Sequence, residues 1–164
     1  MDLATDDSEA ARCQACRTMR TWTATTTVDA RPEAVLAILT DPEACRRWAP
    51  FAFDVDDVAR TLSSGSRARV TGRLAGRSVD FVVEVHEADD RRLILSAHGP
   101  VGFDVRYDLA PAASGSEVRA SVSVRPEGGL AGRLLAQATQ AMLAAGALET
   151  AVARIAREAV LGYD

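Results

Sequence analysis

The sequence predicts an α+β domain in which a series of short antiparallel strands is followed by one long C-terminal helix. Three observations predict it. Between residues 21 and 124, polar and apolar residues alternate in short runs that are separated by turn signals. Two segments that follow the first run begin with proline and have helical spacing. From about Leu130 onward, leucine, alanine and valine recur at the 3.6-residue period of an amphipathic helix.

Length and charge restrict the possible partners. A chain of 164 residues suits one domain with one core. The formal net charge of -4 excludes a nucleic-acid footprint, which needs clustered positive charge. The longest uncharged stretch, residues 134–148, is too short to span a bilayer, so we expect no integral membrane association. The acidic N-terminus lacks the features of a secretory signal, and we expect a cytoplasmic protein.

The first 18 residues differ in character from the rest of the chain. They mix acidic and small residues without periodicity, which predicts a disordered tail in front of a single domain at residues 19–164. Cys13 and Cys16 form a C-x-x-C pair, but no βαβ unit follows them, so we interpret the pair as incidental.

The first strand and two short helices are predicted next. Residues 21–28 alternate with many β-branched residues, which favours a strand. Pro32 then suits the first turn of a helix, with Val35 and Leu39 on its buried face. Asp41-Pro42 ends that helix and begins another over residues 42–47.

The middle of the chain predicts hairpins with one apolar and one charged face. A hairpin of residues 67–74 with 78–86 places Gly72 opposite Val79 and Arg67 opposite Glu84, so that both faces match at once. The alternation along the strands then places seven charged residues on the outer face of the sheet: Arg67, Arg69, Arg73, Asp80, Glu84, Arg106 and Arg119.

The long helix is predicted to face the sheet along one stripe. Its members are Leu130, Leu134, Ala138, Ala141, Ala145, Leu148, Val152 and Ile155. The central alanines of this stripe oppose small inward residues of the sheet, among them Ala68, Gly72 and Ala120. Because interiors are close-packed, either the helix lies close to the sheet or a pocket remains for an apolar ligand.

Several segments resemble the polyketide cyclase/START superfamily. They are Val28-Asp-Ala-Arg-Pro-Glu-Ala-Val35, Leu39-Thr-Asp-Pro42, Trp48-Ala-Pro50, Tyr107-Asp-Leu-Ala-Pro111 and Gly115-Ser-Glu-Val118, together with the long terminal helix. The resemblance covers about residues 19–160. It implies the helix-grip fold: a curved antiparallel sheet of about six to seven strands around the C-terminal helix, with two short helices after the first strand. It also implies a cavity between sheet and helix, and it supplies no catalytic set.

The expected cavity lining combines this resemblance with strand parity. It comprises Trp48, Phe51, Val70, Phe81, Val83, Phe103, Tyr107, Ala138, Ala141, Met142, Ala145 and Glu149. Trp48 and Phe51 follow the short helices, where the superfamily often has its pocket entrance. We interpret Glu149 as a residue of the rim.

Few residues have the chemistry of a catalyst. No metal-ligand constellation and no nucleophile motif is present in the sequence, so we expect no metal, no cofactor and no covalent catalysis. Tyr107 is the better candidate for donating a proton to a ligand carbonyl. His98 is the second candidate, and its position depends on the loop before its strand. An odd loop length places Leu93, Leu95 and Ala97 inside, and an even one places Ile94, Ser96 and His98 inside.

Three functions remain open at this point. The first is binding or transfer of a hydrophobic small molecule such as a lipid or polyketide, which the apolar inner face favours. The second is a polyketide aromatase/cyclase or dehydratase, which needs several inward polar groups. The third is an interaction protein of the ubiquinone-binding or ribosome-association toxin type, also found in this superfamily. A homodimer is compatible with each.

Overall fold

The computed structural model describes residues 20–49, 53–56, 62–74, 76–127 and 129–161. Within them lie seven strands: β1 Thr21–Val28, β2 Phe53–Asp56, β3 Arg67–Leu74, β4 Arg77–Ala88, β5 Arg92–His98, β6 Val101–Ala112 and β7 Gly115–Pro126. The helices are α1 Pro32–Thr40, α2 Pro42–Trp48, α3 Gly129–Ala144 and α4 Ala147–Leu161. The predicted tail, including Cys13 and Cys16, lies outside the described residues.

All seven strands form one antiparallel sheet in the order β1-β7-β6-β5-β4-β3-β2. The first strand therefore pairs with the last, and the others follow in sequence. α4 packs on β1, α1 and α2, while α3 packs on β6 and β7, so both C-terminal helices cover the same inner face. The α+β helix-grip prediction is confirmed. In the described residues, no helix is both long and apolar enough to cross a membrane.

The short helices begin where the sequence signals place them. Pro32 lies in the first turn of α1, and Asp41 caps α2 by accepting a hydrogen bond of 3.0 Å from the Glu43 N–H. The second helix extends one residue beyond its predicted end, to Trp48.

The predicted β3–β4 register is confirmed. Arg67 lies opposite Glu84 and Gly72 opposite Val79. The side chains of Arg67 and Glu84 form an ion pair on the outer face. On the inner face, Phe81 and Val85 of β4 are buried.

A β-bulge decides which face of β5 points inward. Ala88 pairs with Leu93, and the loop between them has four residues, an even number. Val85 nevertheless pairs with Leu95, because the ladder shifts by one residue at His86. The extra residue turns the apolar residues of β5 toward the inner face of the sheet. Leu93 and Ala97 are therefore buried, and the His98 side chain is 46% exposed. The alternative with Ile94, Ser96 and His98 inside is therefore wrong.

The C-terminal helix is divided at Ala145 and Gly146, where Gly146 has a φ of 99°. The α4 half of the predicted stripe is confirmed, since Leu148, Val152 and Ile155 are buried. The α3 half is wrong.

α3 buries the opposite side from the one predicted. Leu130 and Leu134 are 75% and 60% exposed, and Ala141 and Ala145 are exposed too. The buried residues of α3 are Gly132, Leu135, Ala136 and Thr139. The physical reason is contact at Gly132, where a Cβ atom would overlap the carbonyl oxygens of Glu127 and Pro100. This close approach fixes the rotation of α3 independently of α4.

We predict that removing the Arg67 side chain has little effect on stability. The pair with Glu84 is solvated, with 69% and 30% of the side chains exposed, and such pairs contribute under about 1 kcal/mol. Arg67→Ala should therefore lower the free energy of unfolding in urea by less than about 1 kcal/mol. Val85→Ala, on the opposite face of the neighbouring strand, should cost at least about 1.5 kcal/mol. Equal losses would contradict the assigned faces.

We also predict that Gly132→Ala destabilises the protein, although alanine normally favours a helix over glycine by about 1 kcal/mol. The new methyl group must displace backbone atoms, which typically costs about 1–3 kcal/mol. Chemical denaturation measures the effect. Ala141→Gly, at an exposed position of the same helix, measures only the difference in helix propensity between alanine and glycine. A more stable Gly132→Ala variant would contradict the close contact.

Candidate functional site

A cavity of about 240 Å³ lies between the inner face of the sheet and the helices. β2 to β7 provide one wall, and α1, α2, α3 and α4 provide the other. The lining residues are Leu39, Cys45, Trp48, Ala49, Phe53, Leu62, Ala68, Val70, Phe81, Val83, Leu93, Leu95, Ala97, Phe103, Val105, Tyr107, Val122, Thr139, Met142, Leu143, Ala147, Leu148 and Ala151. None of these residues carries a charge.

Three polar side chains of the lining are engaged by backbone carbonyls. The Thr139 hydroxyl donates to the Leu135 oxygen at 2.8 Å. The Trp48 Nε1–H donates to the Ile38 oxygen at 3.3 Å. The Cys45 Sγ lies 3.4 Å from the Leu39 oxygen, within the range of a weak S–H hydrogen bond.

Tyr107 is the fourth polar residue of the lining and has a different environment. Its side chain is only 5% exposed and meets the Trp48 ring edge to face, with 6.3 Å between the ring centroids. Burial, with a smaller effect of Cys45, raises the pKa of the phenol, and no hydrogen bond contributes. The hydroxyl has no hydrogen-bond partner among the described residues and is not fully enclosed by protein atoms, so it borders the open space of the cavity.

Cys45 is held as a neutral thiol. Burial, reinforced by the negative charge of Asp41, raises the pKa of the thiol to about 12. Because the thiolate is the nucleophilic form, this environment opposes covalent chemistry.

α2 is positioned by contacts with α4. The Arg47 Nε lies 2.8 Å from a Glu158 carboxylate oxygen, and Arg154 donates to the Ala49 carbonyl oxygen at 3.2 Å. Cys45 and Trp48 lie three residues apart on one face of α2, so both reach the cavity. The packing of α2 therefore sets the position of two lining residues.

The structure places seven of the predicted lining residues at the cavity: Trp48, Val70, Phe81, Val83, Phe103, Tyr107 and Met142. Phe51 lies outside the described residues. Ala138, Ala141, Ala145 and Glu149 do not line the cavity, and their predicted placement is corrected. The rotation of α3 explains the first two, and the break at Ala145 and Gly146 explains the others.

The helical residues that replace them are Thr139, Leu143, Ala147, Leu148 and Ala151. Thr139, Met142 and Leu143 follow the i, i+3, i+4 spacing of a single helix face. This spacing predicts them when α3 is treated as a separate helix. Cys45 was also missed, although its spacing from Trp48 indicates a shared face.

His98 lies on the outer face of the sheet. Its Nδ1 is 3.9 Å from a Glu127 carboxylate oxygen, and its Nε2 is 3.3 Å from the Ser96 Oγ. The same Oγ lies 2.7 Å from the Nε2 of His86. His98 therefore cannot act on a molecule in the cavity, which corrects its candidacy there.

The arrangement offers binding and little chemistry. No group of three or more potential metal-ligating side chains occurs among the residues that the structure describes. The side chain at the cavity that still has a proton to donate is Tyr107.

Comparison with known proteins gives a family and a fold. The family model described as "Polyketide cyclase / dehydrase and lipid transport" matches residues 19–160. No curated protein matches the chain. Protein TTHA0849 of Thermus thermophilus is similar in structure, with a TM-score of 0.65 and 20% identity over 88% of this chain and 100% of that one.

Two further solved structures are similar. Protein CV1439 of Chromobacterium violaceum has a TM-score of 0.64 and 17% identity, over 85% of this chain and 96% of its own. A START superfamily protein of Mycobacterium smegmatis has a TM-score of 0.61 and 18% identity, over 87% and 97%. At these identities the likeness shows a shared fold.

We predict that Cys45 resists alkylation in the native protein. In a Cys13→Ser/Cys16→Ser background, iodoacetamide at pH 8 should label Cys45 slowly when the protein is folded and rapidly in urea, because a pKa of about 12 leaves almost no thiolate. Mass spectrometry measures the modified fraction. Above about pH 9 the unfolded chain begins to release this proton while the folded chain retains it, so the stability contributed by the neutral thiol declines as pH rises. Rapid native labelling at pH 8 would contradict the buried position.

Proposed function

Because the chain belongs to the polyketide cyclase/dehydrase and lipid transport family, we propose that its cavity binds a hydrophobic small molecule, such as a lipid, a polyketide or a similar metabolite. The observation that carries this proposal is an inner space of about 240 Å³ whose lining includes no charged residue. Ligand sites in proteins are mostly apolar concavities with a few polar groups that fix orientation.

The free-energy cost of the cavity supports the proposal. Voids created in protein cores cost about 24 cal/mol per Å³. On that scale a closed and empty space of about 240 Å³ would cost roughly 6 kcal/mol, so a space of this size is stabilised by access to solvent or by an occupant. The small side chains of Ala147 and Ala151 leave room for that occupant.

The expected affinity is modest. A guest that buries about 200–300 Å² of apolar surface gains about 5–8 kcal/mol. Loss of translational and rotational freedom opposes this gain, so the dissociation constant should be micromolar or weaker. Assays therefore need probe concentrations in that range.

The same geometry argues against the aromatase/cyclase alternative. Such an enzyme would hold and polarise several carbonyl groups of a poly-β-ketone. Here the lining includes one hydroxyl with a proton to spare, and Arg67, Arg69 and Arg106 are exposed on the other face. The toxin-type and ubiquinone-binding alternatives have no supporting observation in the site. Cytoplasmic location and a homodimer stay predictions.

We predict that narrowing the cavity strongly weakens uptake of the uncharged two-ring fluorescent probe 1-aminonaphthalene. Ala147→Leu places three more carbons beside the cavity, so the free energy of unfolding should stay within about 1 kcal/mol of the parent. Fluorescence titration measures binding. Ala141→Leu is the matched control, because Ala141 is exposed on the neighbouring helix and its enlargement should leave binding unchanged.

Two results would contradict the proposal. One is a parent protein that does not bind the probe at micromolar concentrations. The other is binding that Ala147→Leu and Ala141→Leu weaken equally, because the probe would then lie on a surface rather than in the cavity.

A further inference from the structure

The Tyr107 hydroxyl differs from every other polar group at the cavity. The donors of Thr139, Trp48 and Cys45 are each directed to a main-chain carbonyl oxygen. Within the described part of the chain, the phenol has no such partner, although its residue is 95% buried, being 5% exposed. A hydroxyl that borders the cavity without a protein partner is available to donate a hydrogen bond to a ligand atom.

The Tyr107 ring is held in place by its neighbours. It meets Trp48 edge to face, and Trp48 is itself tied to the Ile38 carbonyl. Its strand lies between β5 and β7, where Tyr107 pairs with Leu93 and Ala120. A fixed donor loses little entropy when it forms a hydrogen bond, so the protein is organised in advance for an acceptor.

We propose that the ligand is a compact, uncharged apolar molecule with one carbonyl-type acceptor, and that the Tyr107 hydroxyl donates a hydrogen bond to it. This inference rests on the proposed function. A phenol is a better donor than acceptor, since its ring withdraws electron density from the oxygen. A carboxylate is disfavoured, because the lining has no cation to compensate a buried negative charge.

Volume gives the size of the guest. An engineered apolar cavity of about 150 Å³ binds benzene. The cavity here, about 240 Å³, therefore suits a molecule of one or two rings, or an acyl group of similar size. Burial also keeps the phenol neutral, and thus able to donate, through the physiological pH range.

The test compares two ligands of nearly equal shape, 2-acetylnaphthalene and 2-isopropenylnaphthalene, which differ by a C=O in place of a C=CH₂ group. The measured quantity is the ratio of their dissociation constants. The ketone loses hydrogen bonds to water on entering the cavity of any variant. This loss is the same in each variant, so it cancels when their ratios are compared. Isothermal titration or displacement of 1-aminonaphthalene gives both constants.

Tyr107→Phe should shift this ratio against the ketone by about 2- to 12-fold, which corresponds to a hydrogen bond of about 0.5–1.5 kcal/mol. Thr40→Val is the matched control: it also removes a buried hydroxyl, but one that donates to the Leu36 oxygen and lies outside the cavity lining, and it should change the ratio by less than about 2-fold. The carbonyl stretch of the bound ketone should lie at lower frequency in the parent than in Tyr107→Phe. The melting temperature of Tyr107→Phe should not fall, because no protein hydrogen bond is lost.

The outcomes separate the two proposals. If both naphthalenes bind the parent and Tyr107→Phe leaves their ratio unchanged, the hydrogen bond is overturned and the binding cavity stands. If neither naphthalene binds, the proposed function fails together with this inference. A clear fall in the melting temperature of Tyr107→Phe would show that the hydroxyl has a protein partner, which also overturns the inference.

Discussion

The pairing of the first strand with the last is the constraint on which the rest of the structure depends. β1 aligns with β7 over its whole length, from Thr21 opposite Ser123 to Val28 opposite Ser116. Ser116 is fully buried and donates a hydrogen bond of 2.5 Å to the Ala30 carbonyl oxygen, which fixes the exit from β1. α1 and α2 therefore start at the end of the sheet where α4 crosses, and α4 packs on both. Because the paired residues are far apart in sequence, this pairing carries a cost in loop-closure entropy that the rest of the packing offsets.

The cavity follows from how the two C-terminal helices cover that face. Gly132 brings the start of α3 against Glu127 and Pro100, while the buried residues of α4 hold it on β1. The chain turns at Ala145 and Gly146 between these two attachments. Two of the three α4 residues that line the cavity, Ala147 and Ala151, have small side chains, so this helix leaves space unfilled. The cavity is thus a consequence of two independent packing contacts with a break between them.

The sequence predicted elements that depend on local patterns and failed where a distant contact decides. Strand alternation predicted the β3–β4 register, because one residue of slip would exchange the apolar and charged faces. The predicted buried face of α3 was wrong, because a stripe of residues drawn through 130–155 assumes one straight helix. The bulge at His86 has no local signal that could be counted from loop length. β2 alternates apolar and acidic residues, but over only four positions, which is too short a run to predict a strand, and aspartate is a poor strand former. The predicted lining therefore included five strand residues, Val70, Phe81, Val83, Phe103 and Tyr107, and missed most of the helical ones.

Strand parity also limits the chemistry that this domain can perform. Ion pairs such as Arg106 with Asp108 and Arg125 with Asp104 lie on the outer face, where water screens them and each is worth little. On the inner face, the corresponding positions of β3, β4 and β6 are Val70, Val83 and Val105. A general acid or base would have to occupy such a position to reach a guest, and valine cannot serve. Under the proposed function, binding would be driven by apolar burial along the lining, and the proposed hydrogen bond from Tyr107 would orient the guest. Selectivity would then depend on where a guest carries its acceptor, and much less on how many polar groups it has.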